Sequence, residues 1–232
     1  MKTIAMIPTY NEAGNIEKVI NDILKNGAAE MEVLVVDDMS PDGTYKIVEE
    51  LSKINPKIHL MLRTEKKGRG YAGAEGFKKA LELGADFVLE MDGDGSHDPK
   101  YIGEFLQTIK GCDVVIGSRY VAGGKDEQRG ILRRAVSSFA RHYLSIVIGV
   151  DVNDPTSGFR LFKRNVLQTI APKLKASDPF IVAEVLFYLR KNHFQIKEYP
   201  IEFFSRISGQ SKLQPTTLLK YLFKSLKLRV VR

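Results

Sequence analysis

The sequence predicts an α/β domain built on a mostly parallel central sheet flanked by helices, followed by a basic amphipathic helix. Three observations carry that expectation. Short apolar runs alternate with amphipathic stretches of about 10–15 residues, the pattern of strand–helix–strand units. Polar clusters stand directly after the apolar runs. The positive charge is gathered at one end of the chain.

Residues 4–7 form the first expected strand, an apolar run too short for a secretory leader. Residues 12–25 place Ile16, Val19, Ile20, Ile23 and Leu24 on one helical face. Residues 32–36 read as a buried strand ending at Asp37-Asp38, and 42–54 as the next helix. The strand 58–62 and helix 71–83 repeat the unit, as do strand 87–91, helix 100–110 and strand 114–116. The second half is less regular, with helices over 132–147 and 184–191 and a strand over 196–203. Pro215 is suited to open a helix. Beyond it Leu219, Leu222, Phe223, Leu226 and Val230 make one stripe, with Lys220, Lys224 and Lys227 on another face. The expected division is a globular domain over 1–214 and an amphipathic helix over 215–232.

Hydrophobic residues make up 44% of the 232, enough for one sizeable core. The single cysteine, Cys112, excludes an intrachain disulfide and fits a reducing compartment. No run approaches the roughly 20 apolar residues that cross a bilayer. The net charge is +7, yet residues 1–202 are neutral. The last 30 residues hold Arg206, Lys212, Lys220, Lys224, Lys227, Arg229 and Arg232 and no acid. Such a tail suits an anionic partner: ligand phosphates, lipid headgroups or nucleic acid.

Ligands of parallel sheets bind at the carboxyl ends of the strands. There the chain concentrates Pro8-Thr9-Tyr10-Asn11-Glu12, Asp37-Asp38, Asp92–His97 and Ser118-Arg119-Tyr120. Asp92 and Asp94, one residue apart after a buried strand, can hold a hard divalent cation that keeps positions open for phosphate oxygens. A departing diphosphate needs that help. The same acids begin a calcium-loop pattern, but His97 stands where that loop requires Gly and Gly103 where it requires Glu. Pro8 and Tyr10 offer flat apolar faces to a nucleobase, Glu12 accepts from ribose hydroxyls, and Asp38 accepts from a base N–H. Thr9, Asn11 and Asp42 serve equally well as helix caps. Glu184, a lone acid on an apolar helix, suits either orientation of a sugar or a structural pairing. His59, His97, His142 and His193 show no metal-ligand spacing.

Four segments together resemble the inverting family 2 glycosyltransferases: Pro8-Thr9-Tyr10-Asn11-Glu12, Val36 through Thr44, Met91 through His97, and Gly117-Ser118-Arg119-Tyr120. More narrowly, Asp154-Pro155-Thr156-Ser157-Gly158-Phe159-Arg160 and Arg206-Ile207-Ser208-Gly209-Gln210-Ser211-Lys212 resemble the polyprenyl-phosphate (dolichyl-phosphate) mannosyltransferases. The resemblance spans about residues 1–215 and implies a GT-A type nucleotide-sugar-binding fold. It also implies GDP-mannose as donor, a polyprenyl or dolichyl phosphate as acceptor, and Mg2+ or Mn2+ as cofactor. Carried over residue by residue, Pro8, Tyr10, Glu12, Val36, Asp38, Asp92 and Gly93 hold the donor, and Arg206 and Lys212 meet its phosphates. Asp92 and Asp94 serve the metal. Arg119, Arg134 and Ser138 grip the acceptor phosphate, and Asp94, Arg119 and Arg134 form the catalytic set. Some relatives carry Gln where Ser96 stands, and some carry an extra transmembrane segment. The resemblance places the protein at the cytoplasmic face of a membrane, attached peripherally, and admits a small membrane-anchoring subunit as partner.

The chemistry supports that set independently. A phosphate monoester, with a second pKa of about 6, is largely dianionic near neutral pH and attacks a sugar carbon without a dedicated base. The protein must instead bring two anionic phosphates together, a task for arginines, lysine and a divalent ion. Glucosyl transfer from UDP-glucose is the nearest alternative. Gly68-Arg69-Gly70-Tyr71-Ala72-Gly73 also spells a dinucleotide fingerprint, but after the third strand rather than the first. A phospho-receiver reading of Asp37-Asp38 leaves Asp92, Asp94 and the basic end unused. Nucleic acid suits a neutral body with acidic strand ends poorly.

Overall fold

A computed structural model describes residues 1–126, 141–204, 224–226 and 228. Among these residues the chain forms a seven-stranded sheet with helices on both faces, plus a small sheet of two short strands. Strands β1 (Thr3–Thr9), β2 (Met31–Asp37), β3 (Ile58–Leu62) and β4 (Phe87–Glu90) are parallel, in the order β3-β2-β1-β4. Every residue of β1 is buried, as expected of a parallel strand covered on both sides. Its alternate residues feed two cores. Ile4 and Met6 join Phe77 on one face, while Ala5 and Ile7 join Ile16, Val19 and Phe105 on the other.

Helices α1 (Ile16–Asn26), α2 (Thr44–Ile54) and α4 (Ile102–Thr108) pack on the second face. The first face carries α3 (Arg69–Glu82), α5 (Arg164–Ile170) and α6 (Ile181–Lys191). Every helix start in the near half shifts by a few residues from the sequence expectation, and two have clear local causes. At α1 the Glu12 carbonyl accepts from the N–H groups of Asn15 and Ile16 in a turn, which delays the helix. At α2, Asp42 accepts from the Thr44 N–H at 3.0 Å and from the Ala13 N–H at 2.9 Å. Asp42 thus fixes the turn that enters α2 through Gly43.

The far half of the sheet departs from simple alternation. Strand β5 (Val114–Ser118) pairs in parallel with β8 (Ile196–Pro200). Between β4 and β5 lies β7 (Arg160–Lys163), antiparallel to both, which hydrophobic periodicity does not reveal. The strand expected over 196–203 breaks at Ile201, whose N–H bonds the Ser118 carbonyl. Beyond it β9 (Glu202–Phe203) pairs with β6 (Lys125–Asp126) in the small sheet.

Of the helix expected over 132–147, residues 141–144 are helical and lead into a π-helical turn, Ser145–Gly149; its earlier part, with Arg134 and Ser138, lies outside the described residues. So do Arg206, Lys212 and most of the helix expected from Pro215. Lys224, Ser225, Leu226 and Leu228 are described and helical. Lys224 pairs with Asp178 and lies over the Phe180 ring. Leu228 is buried in the first core, whereas Leu226, part of the expected apolar stripe, is 45% exposed. This piece of the segment docks on the body beside α6. No helix among the described residues is long and apolar enough to cross a membrane.

Candidate active site

The carboxyl ends of β1 and β2 are tied by a buried carboxylate. Asp37 accepts from the Thr9 hydroxyl at 2.8 Å, and from the Ser40 N–H and hydroxyl, each at 2.7 Å. Ser40 in turn accepts from the Asn11 N–H. These bonds stabilise two residues in the left-handed region, Asn11 (φ 59°) and Met39 (φ 54°), a conformation that is unusual for Met. Pro8 and Val36 are register partners in the strands, Tyr10 is exposed, and Glu12 stands at the turn into α1, taking the Asn15 amide.

Asp38 is buried and ion-paired with Arg63, and it accepts from the Gly68 N–H at 2.6 Å. Arg63 also reaches Glu75 at 2.9 Å and the Lys66 carbonyl. The base acceptor suggested by the sequence is thus held by a partner 25 residues on, which periodicity gave no means of finding. Gly68 and Gly70 have a packing role. A Cβ on Gly68 would stand 2.3 Å from the Ser177 carbonyl oxygen, and one on Gly70 2.2 Å from that of Ala176. The space a pyrophosphate would need beside these glycines is filled by backbone. Glu184 fixes that backbone, accepting from the N–H groups of Lys175 and Ala176 at 2.9 and 2.8 Å.

At the end of β4, Glu90 is wholly buried. It takes two bonds from Arg160, at 3.0 and 2.6 Å, and one from Arg69 at 2.9 Å. The same Arg69 nitrogen lies 3.6 Å from Asp92. Asp92 is 37% exposed in its side chain. Asp94 is buried and accepts from the N–H and hydroxyl of Ser96. His97 accepts from the Asp92 N–H at Nδ1 and stacks on Phe159 with centroids 4.9 Å apart. Burial pushes its imidazole below the ordinary value, although Asp92 and Asp94 pull the other way. Gly93 lies against β1: a Cβ there would meet the Thr9 methyl at 3.1 Å and Glu12 Cγ at 3.7 Å. Asp92 and the nucleoside-type cluster of Pro8–Glu12 therefore adjoin.

Arg119, just past β5, is buried and clamped by Asp154, with bonds of 2.7 and 2.8 Å to its two oxygens and a third from its own N–H. It also donates to Thr156 and faces Asp126 at 4.0 Å. Burial raises the Asp154 carboxyl, but the bonds and charge of Arg119 outweigh it and hold the group below the usual carboxylate range. Glu198 anchors the next turn through the N–H groups of Asn153 and Asp154. The clamp connects to the acid pair through aromatic contacts. Arg119 lies over the Phe203 ring, Phe203 meets His97 edge-on, and Gly158 adjoins Asp92.

Together these features describe an α/β domain whose carboxyl sheet edge joins a nucleoside-type cluster, an acid pair and a buried arginine. Residues 4–171 match the family model for glycosyl transferase family 2. The chain belongs to that family and is a glycosyltransferase. It is 35% identical over 226 residues to polyprenol monophosphomannose synthase of Mycolicibacterium smegmatis, covering 96% of this chain and 85% of that one. It is also 35% identical over 214 residues to undecaprenyl-phosphate mannosyltransferase of Micrococcus luteus, covering 92% and 88%. Its fold matches glucosyl-3-phosphoglycerate synthase from Mycobacterium tuberculosis, in complex with Mn2+, UDP and glucosyl-3-phosphoglycerate. The TM-score is 0.67 at 18% identity, over 98% of this chain and 79% of that one. Mannosyl-3-phosphoglycerate synthase from Rubrobacter xylanophilus gives 0.68 at 17%, over 99% and 74%. These likenesses establish the GT-A fold.

Proposed function

We propose that this glycosyltransferase moves mannose from GDP-mannose to the phosphate of a polyprenyl phosphate, with inversion, at the cytoplasmic face of a membrane. The observation that carries the reading is the end-to-end similarity to two relatives whose names state a mannosyl product or activity and a polyprenyl acceptor. The gathering of Glu12, Asp92, Asp94 and Arg119 at one sheet edge supports the reading. In this reading Pro8, Tyr10, Glu12, Val36 and Asp38 receive the nucleoside, and Gly93 lets the acid-pair turn pack closely against β1. Arg206 and Lys212 are assigned the donor phosphates, and Arg119, Arg134 and Ser138 the acceptor phosphate.

The residues at the end of β4 fit a hard divalent cation. Asp92 is partly exposed at the sheet edge, and Asp94 is oriented by Ser96; both offer carboxylate oxygens, the donors that Mg2+ and Mn2+ prefer. A cation bound there offsets negative charge on the departing diphosphate. The chain itself does the rest. It holds the acceptor dianion opposite the diphosphate, so a single displacement inverts the sugar carbon. It keeps the phosphates close with fixed cations, and it needs no carboxylate dyad to make a nucleophile.

Donor screening tests the reading. Labelled GDP-mannose with a short polyprenyl phosphate should give a solvent-extractable product, while UDP-glucose gives little. Transfer from UDP-glucose alone would overturn the donor. Asp92→Asn or Asp94→Asn should lower turnover by at least about tenfold, or roughly 1.4 kcal/mol. Metal-independent transfer at the normal rate by the double variant would remove the metal assignment.

A further inference from the structure

Arg141 stands out among the cations of the β5 edge. Its guanidinium carbon lies 3.5 Å from the centroid of the Tyr120 ring, a close cation–π stack. A guanidinium held against a ring in this way keeps its N–H donors for other acceptors. Those donors are poorly used: one nitrogen reaches the Asn153 carbonyl at 3.4 Å, and the buried Nε has no hydrogen-bond partner. A buried donor without an acceptor is unfavourable, and in native sites it calls for a partner. The described ion pairs around Tyr120 include Arg119 but not Arg141.

The neighbouring charges sharpen the point. Arg119 spends two nitrogens on Asp154 and turns the third toward Asp126. The Tyr120 hydroxyl is bonded to Asp126 at 3.1 Å. Arg119, assigned above to the acceptor phosphate, thus faces two carboxylates that offset part of its charge. Arg141 packs closer to the Tyr120 ring, at 3.5 Å, and no ion pair among the described residues involves it.

We propose that Arg141 contacts the phosphate monoester of the acceptor, with Arg119 and Asp154 forming the buried wall behind it. Resting on the acceptor reading above, this adds a binding residue to it. Tyr120 then acts as a positioning residue, since its ring packs against the guanidinium. Charge-assisted bonds of this kind change affinity by about ten- to a hundredfold.

The test uses the whole chain with Mn2+, measuring binding of farnesyl phosphate, farnesol, inorganic phosphate and GDP by calorimetry. Arg141→Met keeps the apolar cover on Tyr120 and removes the charge; Arg141→Lys keeps the charge and loses the planar fork. Wild type should bind farnesyl phosphate well above farnesol and inorganic phosphate. Arg141→Met should weaken farnesyl phosphate at least about tenfold, Arg141→Lys by less, and GDP affinity should stay within about twofold in both. Equal farnesyl phosphate binding by Arg141→Met and wild type would overturn the assignment while leaving the acceptor reading in place. A parallel loss of GDP affinity would move Arg141 to the donor side and overturn it as well. Inorganic phosphate matching farnesyl phosphate would replace the lipid phosphate with a free anion. A wild-type protein that bound no farnesyl phosphate would sink the acceptor reading itself, and the assignment with it.

Discussion

Replacing Glu90 with Leu should be among the most damaging single changes outside the reacting groups. Glu90 and Arg160 are both wholly buried, opposite each other across β4 and β7. Without the carboxylate, Arg160 keeps only a 3.4 Å bond to the Val182 carbonyl and a place over the Phe162 ring. Removing one partner of a buried pair costs about 3–5 kcal/mol, because the other charge stays desolvated. Against a total stability of about 5–15 kcal/mol, that loss brings the fold near its limit. At about 2–4 °C per kcal/mol for a chain of this size, the midpoint should fall by about 6–20 °C. The double variant Glu90→Leu, Arg160→Met removes the wholly buried charge, leaving Arg69 to Asp92, and should recover part of the loss. Urea unfolding of wild type, single and double variants measures both effects. A loss under about 1 kcal/mol for the single variant, or a double variant no better than the single, would refute the argument from buried charge.

Further outcomes follow from other contacts. Gly70→Ala should cost at least about 2 kcal/mol, since its Cβ meets backbone atoms of Ala176 and Asp178. Gly103→Ala in α4 meets nothing within 4 Å and should be neutral or stabilising by up to about 1 kcal/mol in the same unfolding assay. Burial raises the Cys112 thiol, so iodoacetamide near neutral pH should modify it at least about tenfold more slowly in the folded protein than in urea; equal rates would contradict its burial. Asp154 has its folded pKa depressed by Arg119. Its contribution is therefore present above the unfolded value of about 3.9 and is lost as pH falls through the lower folded value. Asp154→Asn should destabilise strongly at pH 7 and progressively less in acid. A penalty unchanged at pH 3 would rule out the ion pair as its source.

The near half of the molecule was legible because each strand there is an apolar run and each helix an apolar stripe. Asp92, Asp94 and Glu12 stand at one edge for a related reason: a parallel sheet delivers the residues after its strands there. β7 was missed because Arg160-Leu161-Phe162-Lys163 is four residues long with a charge at each end. Its arginine is tolerated in the sheet only through Glu90, 70 residues earlier. No local pattern encodes such a partnership. The Asp38–Arg63 pair and the Asp154 clamp were hidden by the same kind of separation. The glycines of α3 show a different limit, because one spelling serves phosphate binding or close helix packing, and only the neighbouring Ser177 and Ala176 decide between them.

The antiparallel strand β7 also bears on how the protein is made. Strands β1 to β4 are all present once residue 90 has been synthesised, but the free edge of β4 waits for residues 160–163. At about 5–20 residues per second, a ribosome needs roughly 4–15 s to supply them. Throughout that interval a nascent chain exposes an unpaired strand edge carrying Phe87 and Leu89, with Glu90 still lacking the arginine that neutralises it. Such an edge is the usual starting point for pairing with the wrong chain. Synthesis stalled between residues 90 and 160 should therefore yield chains that chaperones retain, and release should begin only when β7 emerges.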